Sequence, residues 1–267
     1  MTSRLPGFHK LSAGERRAAI ARETGVSVDE LAALEAPLPH AVRDALVENV
    51  VGGYTLPIGI ATNFRVNGRD VLVPMAVEES SVVAAASHGA KMARDAGGFH
   101  ARASEPVMVA QVQLVDVPDF GVAQRNLYAV ADDLARLAGD AAAGLAKRGG
   151  GYRGFKVRTL DTDAGKCLVV HLLVDVRDAM GANAVNTVAE AVAPLLAEVT
   201  GGRPLLRILT NLSDERTVAV SASFDVGGAD VARDILRAWA FADADPYRAA
   251  THNKGVMNGI DAVVMAT

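Results

Sequence analysis

Between about Val107 and Asn211 the chain alternates strands and helices in an order that leaves little choice of fold. The strand "VMVAQVQLVDV" precedes a helical stretch from about Gly121 to Lys147, and a Gly-rich turn leads to the strand "YRGFKVRTLD". The strand "CLVVHLLVDV", the helix "AVNTVAEAVAPLLAEVTG" and the strand "LLRILTN" complete the set. This is β-α-β-β-α-β, the ferredoxin-like arrangement. The segments on either side read as pieces of one larger domain into which this module is inserted, so the expected fold class is α+β. Hydrophobic residues make up 50% of the chain and aromatic residues 4%, which predicts a core built from Val, Leu, Ile and Ala.

The flanking segments carry their own signals. Ser12 with Glu15 and Ser27 with Glu30 match the S-x-x-E capping box ahead of helical runs. A third helix is expected from about His40 to Gly52. "LPIGIATNFRV" and "DVLVPMAV" flank Asn67-Gly68, a strong two-residue hairpin signal. A helix rich in small residues should start at Ser80 or Ser81 and close at Gly97 or Gly98. After Asn211 come a strand ("TVAVSASFDV") and a helix carrying Trp239. The segment "ATHNKGVMNGIDAVVMAT", residues 250–267, reads as a Gly-rich turn followed by a short apolar strand.

Charge and composition exclude several classes. A net charge of −4 gives no electrostatic reason to expect nucleic acid or an anionic membrane surface as partner. The N-terminus has no apolar leader, and no run is long enough to span a bilayer. The single cysteine, Cys167, lies in an apolar strand, which predicts a buried, inert thiol and a reducing, cytoplasmic setting. The histidines are scattered without metal-ligand spacing, so no metal site is expected.

Four stretches can carry chemistry. "GGGYRG" (Gly149 to Gly154) matches G-x-G-x-x-G, but it follows a helix and opens a strand, the reverse of a dinucleotide fingerprint; a flexible connector is the expectation. In "DVRDAMGANAVNT" a strand runs into Asp178, Met180, Gly181 and Asn183 and a helix begins at once. Gly181 permits close backbone approach to a ligand, and Asn183 can cap a helix whose first N–H groups form an anion site. An ordinary capped turn is the alternative. Glu78 and Glu79 stand together at a strand-to-helix junction with no nearby Lys or Arg in sequence. They serve either the helix dipole or, if one carboxyl has a raised pKa, proton donation. "DPYRAATHNKGVMNG" gathers Arg248, His252, Lys254 and Asn258, a set suited to carboxylate recognition and oxyanion stabilisation.

"ENVVG" (Glu48 to Gly52), "LPIGIATNF", "NGRDVLVPMAVEESSVVAAAS", "RDAMGANAVNT", "ILTNL" and "DPYRAATHNKGVMNGID" occur in this order. Together they resemble the bacterial (class II) 3-hydroxy-3-methylglutaryl-coenzyme A reductases, over essentially the whole chain. The resemblance implies interconversion of 3-hydroxy-3-methylglutaryl-CoA and mevalonate plus CoA, with two hydride transfers to or from NAD(H) or NADP(H). It implies a homodimer or higher assembly with active sites at the subunit interface. A large α/β domain (1–106 and 212–267) would hold the CoA thioester, and the inserted small domain (107–211) the dinucleotide.

By the same resemblance Glu79 and Lys254 are catalytic, and Ser81, Arg248 and Asn258 contact substrate or orient the lysine. Asp178, Met180, Gly181, Asn183 and Asn211 would bind the cofactor. Ser80 stands where the family has proline. An ungapped count puts Ala142 where some NADH-using relatives carry an aspartate; Asp140 lies close by, with Lys147 and Arg148 at the helix end. The available carboxylate favours NADH, and NADPH is the alternative. Family chains continue beyond "GIDAVVMAT" to supply a catalytic aspartate and a histidine. The resemblance therefore implies that residues 1–267 alone, with the large domain incomplete, are weakly active or inactive. The rival readings are a non-catalytic nucleotide-binding fragment or a partner subunit of a split enzyme.

Overall fold

A computed structural model describes residues 1–36 and 38–267. The chain forms two compact units: Arg102–Ala219, and Met1–Ala101 together with Val220–Thr267.

The inserted unit contains β4 (Val107–Val115), α5 (Phe120–Ala129), α6 (Ala131–Ala141), α7 (Ala143–Ala146), β5 (Gly151–Thr162), β6 (Gly165–Asp175), α8 (Ala182–Thr200) and β7 (Arg203–Leu209), in that chain order and numbered with the elements that precede them. Its sheet runs β5-β6-β4-β7 with every neighbouring pair antiparallel, which is the ferredoxin-like strand order. Period-two alternation sends Ala110, Val112, Leu114, Leu168, Val170, Leu172 and Val174 to one face, all fully buried. On α8, Val185, Val188, Ala189, Val192 and Leu196 recur at helical spacing and close over that face.

The unit extends five residues before and eight after the expected 107–211. Its flanks are tied together by Ser104, whose N–H donates to the Thr217 carbonyl at 2.9 Å. The single helix expected from 121 to 147 is broken at Val130 and Ala142, which leave helical geometry (φ −104° and −96°). The bends keep Leu127, Leu134, Ala138, Ala142 and Leu145 directed at the curved sheet, which one straight rod of about 40 Å does not achieve.

The other unit opens with α1 (Ala13–Thr24), α2 (Val28–Ala32) and α3 (His40–Leu46). Both capping boxes form as the spacing predicts, while α3 stops well short of Gly52. β1 (Ile58–Val66) and β2 (Arg69–Ala76) form the hairpin, with Asn67 (φ 49°) and Gly68 (φ 78°) supplying the left-handed turn. α4 (Val82–Arg94) packs on β1. β3 (Phe99–Ala103) lies parallel to β1; its sequence FHARA gave no apolar run to announce it. β8 (Val218–Ala222), α9 (Ala229–Ala244) and α10 (Pro246–Ala266) follow, and the sheet order is β2-β1-β3-β8.

The closing segment is one helix, not a turn and strand. Asp245 accepts the Arg248 N–H at 2.8 Å and Pro246 occupies the first turn, so the start is strongly set. Ala262 packs with Ala61 and Met75 under the hairpin with Val263 against the same cluster, while Met257, Ile260 and Val264 stay exposed. Gly255 and Gly259 suggest a turn by residue type, but neither has a positive φ, and both sit as ordinary helical residues.

The N-terminus is fastened to the hairpin. Ser3 is fully buried; its N–H donates to Asp70 at 3.0 Å and its hydroxyl to the Phe64 carbonyl. Arg94 donates to both Asp70 (2.8 Å) and the Ser3 hydroxyl (3.0 Å). The Arg94 guanidinium, with the Ser3 N–H and Thr2 hydroxyl, overcomes the effect of burial and holds the Asp70 carboxyl at about 2.

Candidate active site

In the unit formed by Met1–Ala101 and Val220–Thr267, Glu79 leaves the end of β2 on a short turn and meets two side chains of α10. Its Oε2 accepts from the Lys254 ammonium in a very short contact and from the Asn258 amide at 3.1 Å. Lys254 and Asn258 are four residues apart, so one face of the helix presents both. The hydrogen bond from Lys254, then its charge, then the Asn258 amide pull the Glu79 carboxyl below its ordinary range. This reverses the raised pKa considered from sequence: the cation absent from the local sequence arrives from 175 residues away.

Ser81 precedes α4 with φ 72° and makes no capping bond, so a non-glycine residue is held in left-handed geometry beside Glu79. Its hydroxyl is left for another partner. Arg248 is exposed, and six residues of helix place it about 120° around α10 from Lys254, so it does not join the Glu79 cluster.

The same unit holds a cavity of about 1090 Å³ bounded by the N-terminal segment, α1, the start of β1 and α4. Arg4, Arg16, Arg17, His88 and Lys91 line it among apolar side chains, and no carboxylate does so among the described residues. Sequence reading missed it because its cations come from three separate segments.

In the inserted unit, Asp178, Met180 and Asn183 are exposed on the turn from β6 into α8, with Met180 74% accessible. Gly181 (φ 89°) precedes the helix, and a Cβ there would lie 2.6 Å from the Met108 sulfur and 2.7 Å from Val176. Asn183 is not the cap. It lies inside the first turn, so the residue at the cap, Gly181, has no side chain to satisfy the free N–H groups. Those donors at the start of a 19-residue helix fit a phosphate group. Asn211 is exposed in the segment following β7, and Glu215 of that segment pairs closely with Lys156.

The Gly149–Gly151 stretch is not a flexible connector. The Gly149 carbonyl accepts from Arg177 (Nε at 2.8 Å), and Gly150 lies so close to β6 that a Cβ would sit 2.5 Å from the Asp175 carbonyl oxygen. Ala142, the position counted as a ribose contact, is 2% exposed within the core, while Asp140, Lys147 and Arg148 are exposed. Cys167 is buried, as read. Among the described residues no cluster of three or more His, Cys, Asp or Glu can hold a metal ion, and no helix is long and apolar enough to cross a membrane.

The profile of the hydroxymethylglutaryl-coenzyme A reductase family matches residues 12–267. The 3-hydroxy-3-methylglutaryl-coenzyme A reductase of Archaeoglobus fulgidus is 47% identical over 271 residues, covering 100% of this chain and 62% of its own length. A probable reductase of the same name from Borreliella burgdorferi is 31% identical across 83% of the chain and 52% of its own length. Thus the chain spans less than two thirds of the length of these relatives. The class II 3-hydroxy-3-methylglutaryl-CoA reductase of Streptococcus pneumoniae, solved bound to NADPH in open conformations, superposes with a TM-score of 0.91 at 39% identity. That match covers 98% of this chain and 73% of the solved one.

Proposed function

Because the chain belongs to the hydroxymethylglutaryl-coenzyme A reductase family, we propose that it serves the interconversion of 3-hydroxy-3-methylglutaryl-CoA and mevalonate plus CoA. The observation that carries the reading is the meeting of Glu79, Lys254 and Asn258. Two nicotinamide dinucleotides, bound in turn, would each supply one hydride: addition to the thioester carbonyl gives a hemithioacetal that expels CoA as a thiolate, protonated from solvent, and the second hydride reduces the aldehyde so formed. Each addition puts negative charge on an oxygen, and a fixed ammonium lowers that barrier.

Lys254 takes this role, with Asn258 beside it to hold the shared carboxylate. When a substrate oxygen draws the ammonium away, Glu79 loses the contact that most depresses its pKa and takes up a proton from solvent. It then delivers that proton to the alkoxide of the aldehyde step. Ser81 and Arg248 serve the acyl and carboxylate ends of the substrate. The cavity lined by Arg4, Arg16, Arg17 and Lys91 suits the phosphates and pantetheine of CoA.

The dinucleotide belongs to the insert, its phosphates at the start of α8 with Asp178, Met180, Gly181 and Asn183, and Asn211 as a further amide. Exposed Asp140 supports NADH through a ribose hydroxyl, since the buried Ala142 cannot reach one. Exposed Leu236, Trp239, Val264 and Met265 on α9 and α10 support a homodimer or higher assembly. A non-catalytic nucleotide-binding role would leave the Glu79–Lys254–Asn258 cluster without work.

The test is oxidation of NADH or NADPH with 3-hydroxy-3-methylglutaryl-CoA, measured on the protein as the cell makes it. Lys254→Met should lower kcat by about 10²–10³-fold, with NADH the better cofactor in the parent. Oxidation that does not require the thioester, or a Lys254→Met protein with parental kcat, would overturn the reading.

A further inference from the structure

Asp175 is the one buried carboxylate of the inserted unit among the described residues, and the chemistry above does not use it. It ends β6, where its backbone pairs with Gly151 on one side and Val107 on the other. A buried charge is tolerated only when paired and hydrogen-bonded. Here Oδ2 accepts from Arg153 at 2.6 Å and lies 3.2 Å from the Arg177 guanidinium, while Oδ1 accepts the Arg177 N–H at 3.0 Å. Burial alone would raise its pKa, but those donors and the two positive charges hold it below the ordinary carboxylate value.

Both arginines reach past Asp175 to the same acceptor. The Gly149 carbonyl takes the Arg177 Nε at 2.8 Å, a second, shorter contact from the same guanidinium, and Arg153 at 3.4 Å. Three features show that the two loops are built to be close. Gly149 and Gly151 adopt φ of 82° and 107°, Gly150 admits no Cβ against the Asp175 backbone, and Arg177 itself is left-handed at φ 51°. The Asp175 side chain, accepting the N–H two residues on, stabilises that unusual turn. Arg177 is followed directly by Asp178 and the turn into α8.

We propose that Asp175 is a positioning residue for the dinucleotide: through Arg153 and Arg177 it locks the 149–151 glycine loop against the 176–181 turn, so that both backbones form one cradle for the cofactor. This rests on the dinucleotide reading of the 178–183 turn given above. Loosening Asp175 frees both loops at once, and the cradle must then be ordered at the expense of binding. The part held is common to NADH and NADPH, so both lose affinity alike.

The experiment is direct calorimetric or fluorescence binding of NADH and of NADPH to the intact protein. The Asp175→Asn variant is compared with Arg153→Met and Arg153→Lys, with thermal unfolding and CoA binding followed in parallel. Asp175→Asn and Arg153→Met should each weaken both dinucleotides by about tenfold or more, with CoA affinity unchanged and Arg153→Lys restoring most of the loss. If Asp175→Asn does not fold, the half-exposed Arg153 pair decides the matter alone. Parental affinity in the Arg153→Met protein overturns the proposal. So does a loss confined to NADPH, which would mean that the arginine touches the 2′-phosphate itself. Failure of the parent protein to bind either dinucleotide sinks the cofactor reading, and this proposal with it.

Discussion

Replacing Gly181 by alanine puts one methyl group where the turn into α8 has no room for it. The backbone there has φ 89°, a region that costs an L-residue about 1–2 kcal/mol. The new Cβ would also lie 2.6 Å from the Met108 sulfur, 2.7 Å from a Val176 methyl and 2.9 Å from Val176 Cβ. Met108 is flexible and can yield, but Val176 is fully buried and cannot. Overpacking of this kind costs about 1–3 kcal/mol, so the sum is about 3 kcal/mol. If the turn stays in place, the insert's unfolding midpoint should fall by roughly 10 °C. If it moves instead, stability is spared and dinucleotide affinity falls. Differential scanning calorimetry with a dinucleotide titration therefore catches either response. A double-mutant cycle with Met108→Ala should recover about 1 kcal/mol at most, since neither Val176 nor the φ value is relieved. A Gly181→Ala protein with parental midpoint and parental affinity would refute the steric reasoning.

Two further outcomes follow from the large unit. The Arg94 guanidinium holds the Asp70 carboxyl at about 2 in the folded state against an ordinary 3.8, so its contribution, on the order of 2 kcal/mol, is present above pH 3.8 and lost as pH falls towards 2. Asp70→Asn should lose that amount in urea unfolding at neutral pH, and the gap to the parent should close on acidification; a gap that widens would contradict the assignment. Ser81→Gly removes left-handed strain of about 1–2 kcal/mol and adds about 0.4–1 kcal/mol of unfolded-chain entropy. It should leave stability level or slightly higher while weakening 3-hydroxy-3-methylglutaryl-CoA binding. Lower stability with full affinity would show that the hydroxyl serves the fold.

Local rules reached the parts of this chain that are local. Asn67-Gly68, the two capping boxes and the chain order of strands and helices in the insert depend on neighbours within a few residues or on a regular period, and each was legible. The charged strand Phe99–Ala103 was not, because it owes its place to pairing with β1 and to Asn67, whose side chain bridges the Ala101 backbone. Gly255 and Gly259 suggested a turn because composition cannot show that Asp245 and Pro246 have already committed the backbone to a helix. The site followed the same division. Residue types at Glu79 and Lys254 pointed to acid–base and oxyanion chemistry, but the protonation of Glu79 depends on a cation from the far end of the chain. Arg153 and Arg177 gave no signal at all until their shared acceptors, Asp175 and Gly149, were seen together.

The run of α10 from Pro246 to Ala266 without interruption makes length, rather than identity, its least forgiving property. Each residue turns a helix by about 100°, so one residue inserted or lost between Lys254 and Asn258 would swing one of them off the face that meets Glu79. A change of side chain at Val256 or Met257, both partly exposed, alters only what that position touches. Natural variation in this stretch should accordingly be rich in substitutions and empty of single-residue gaps.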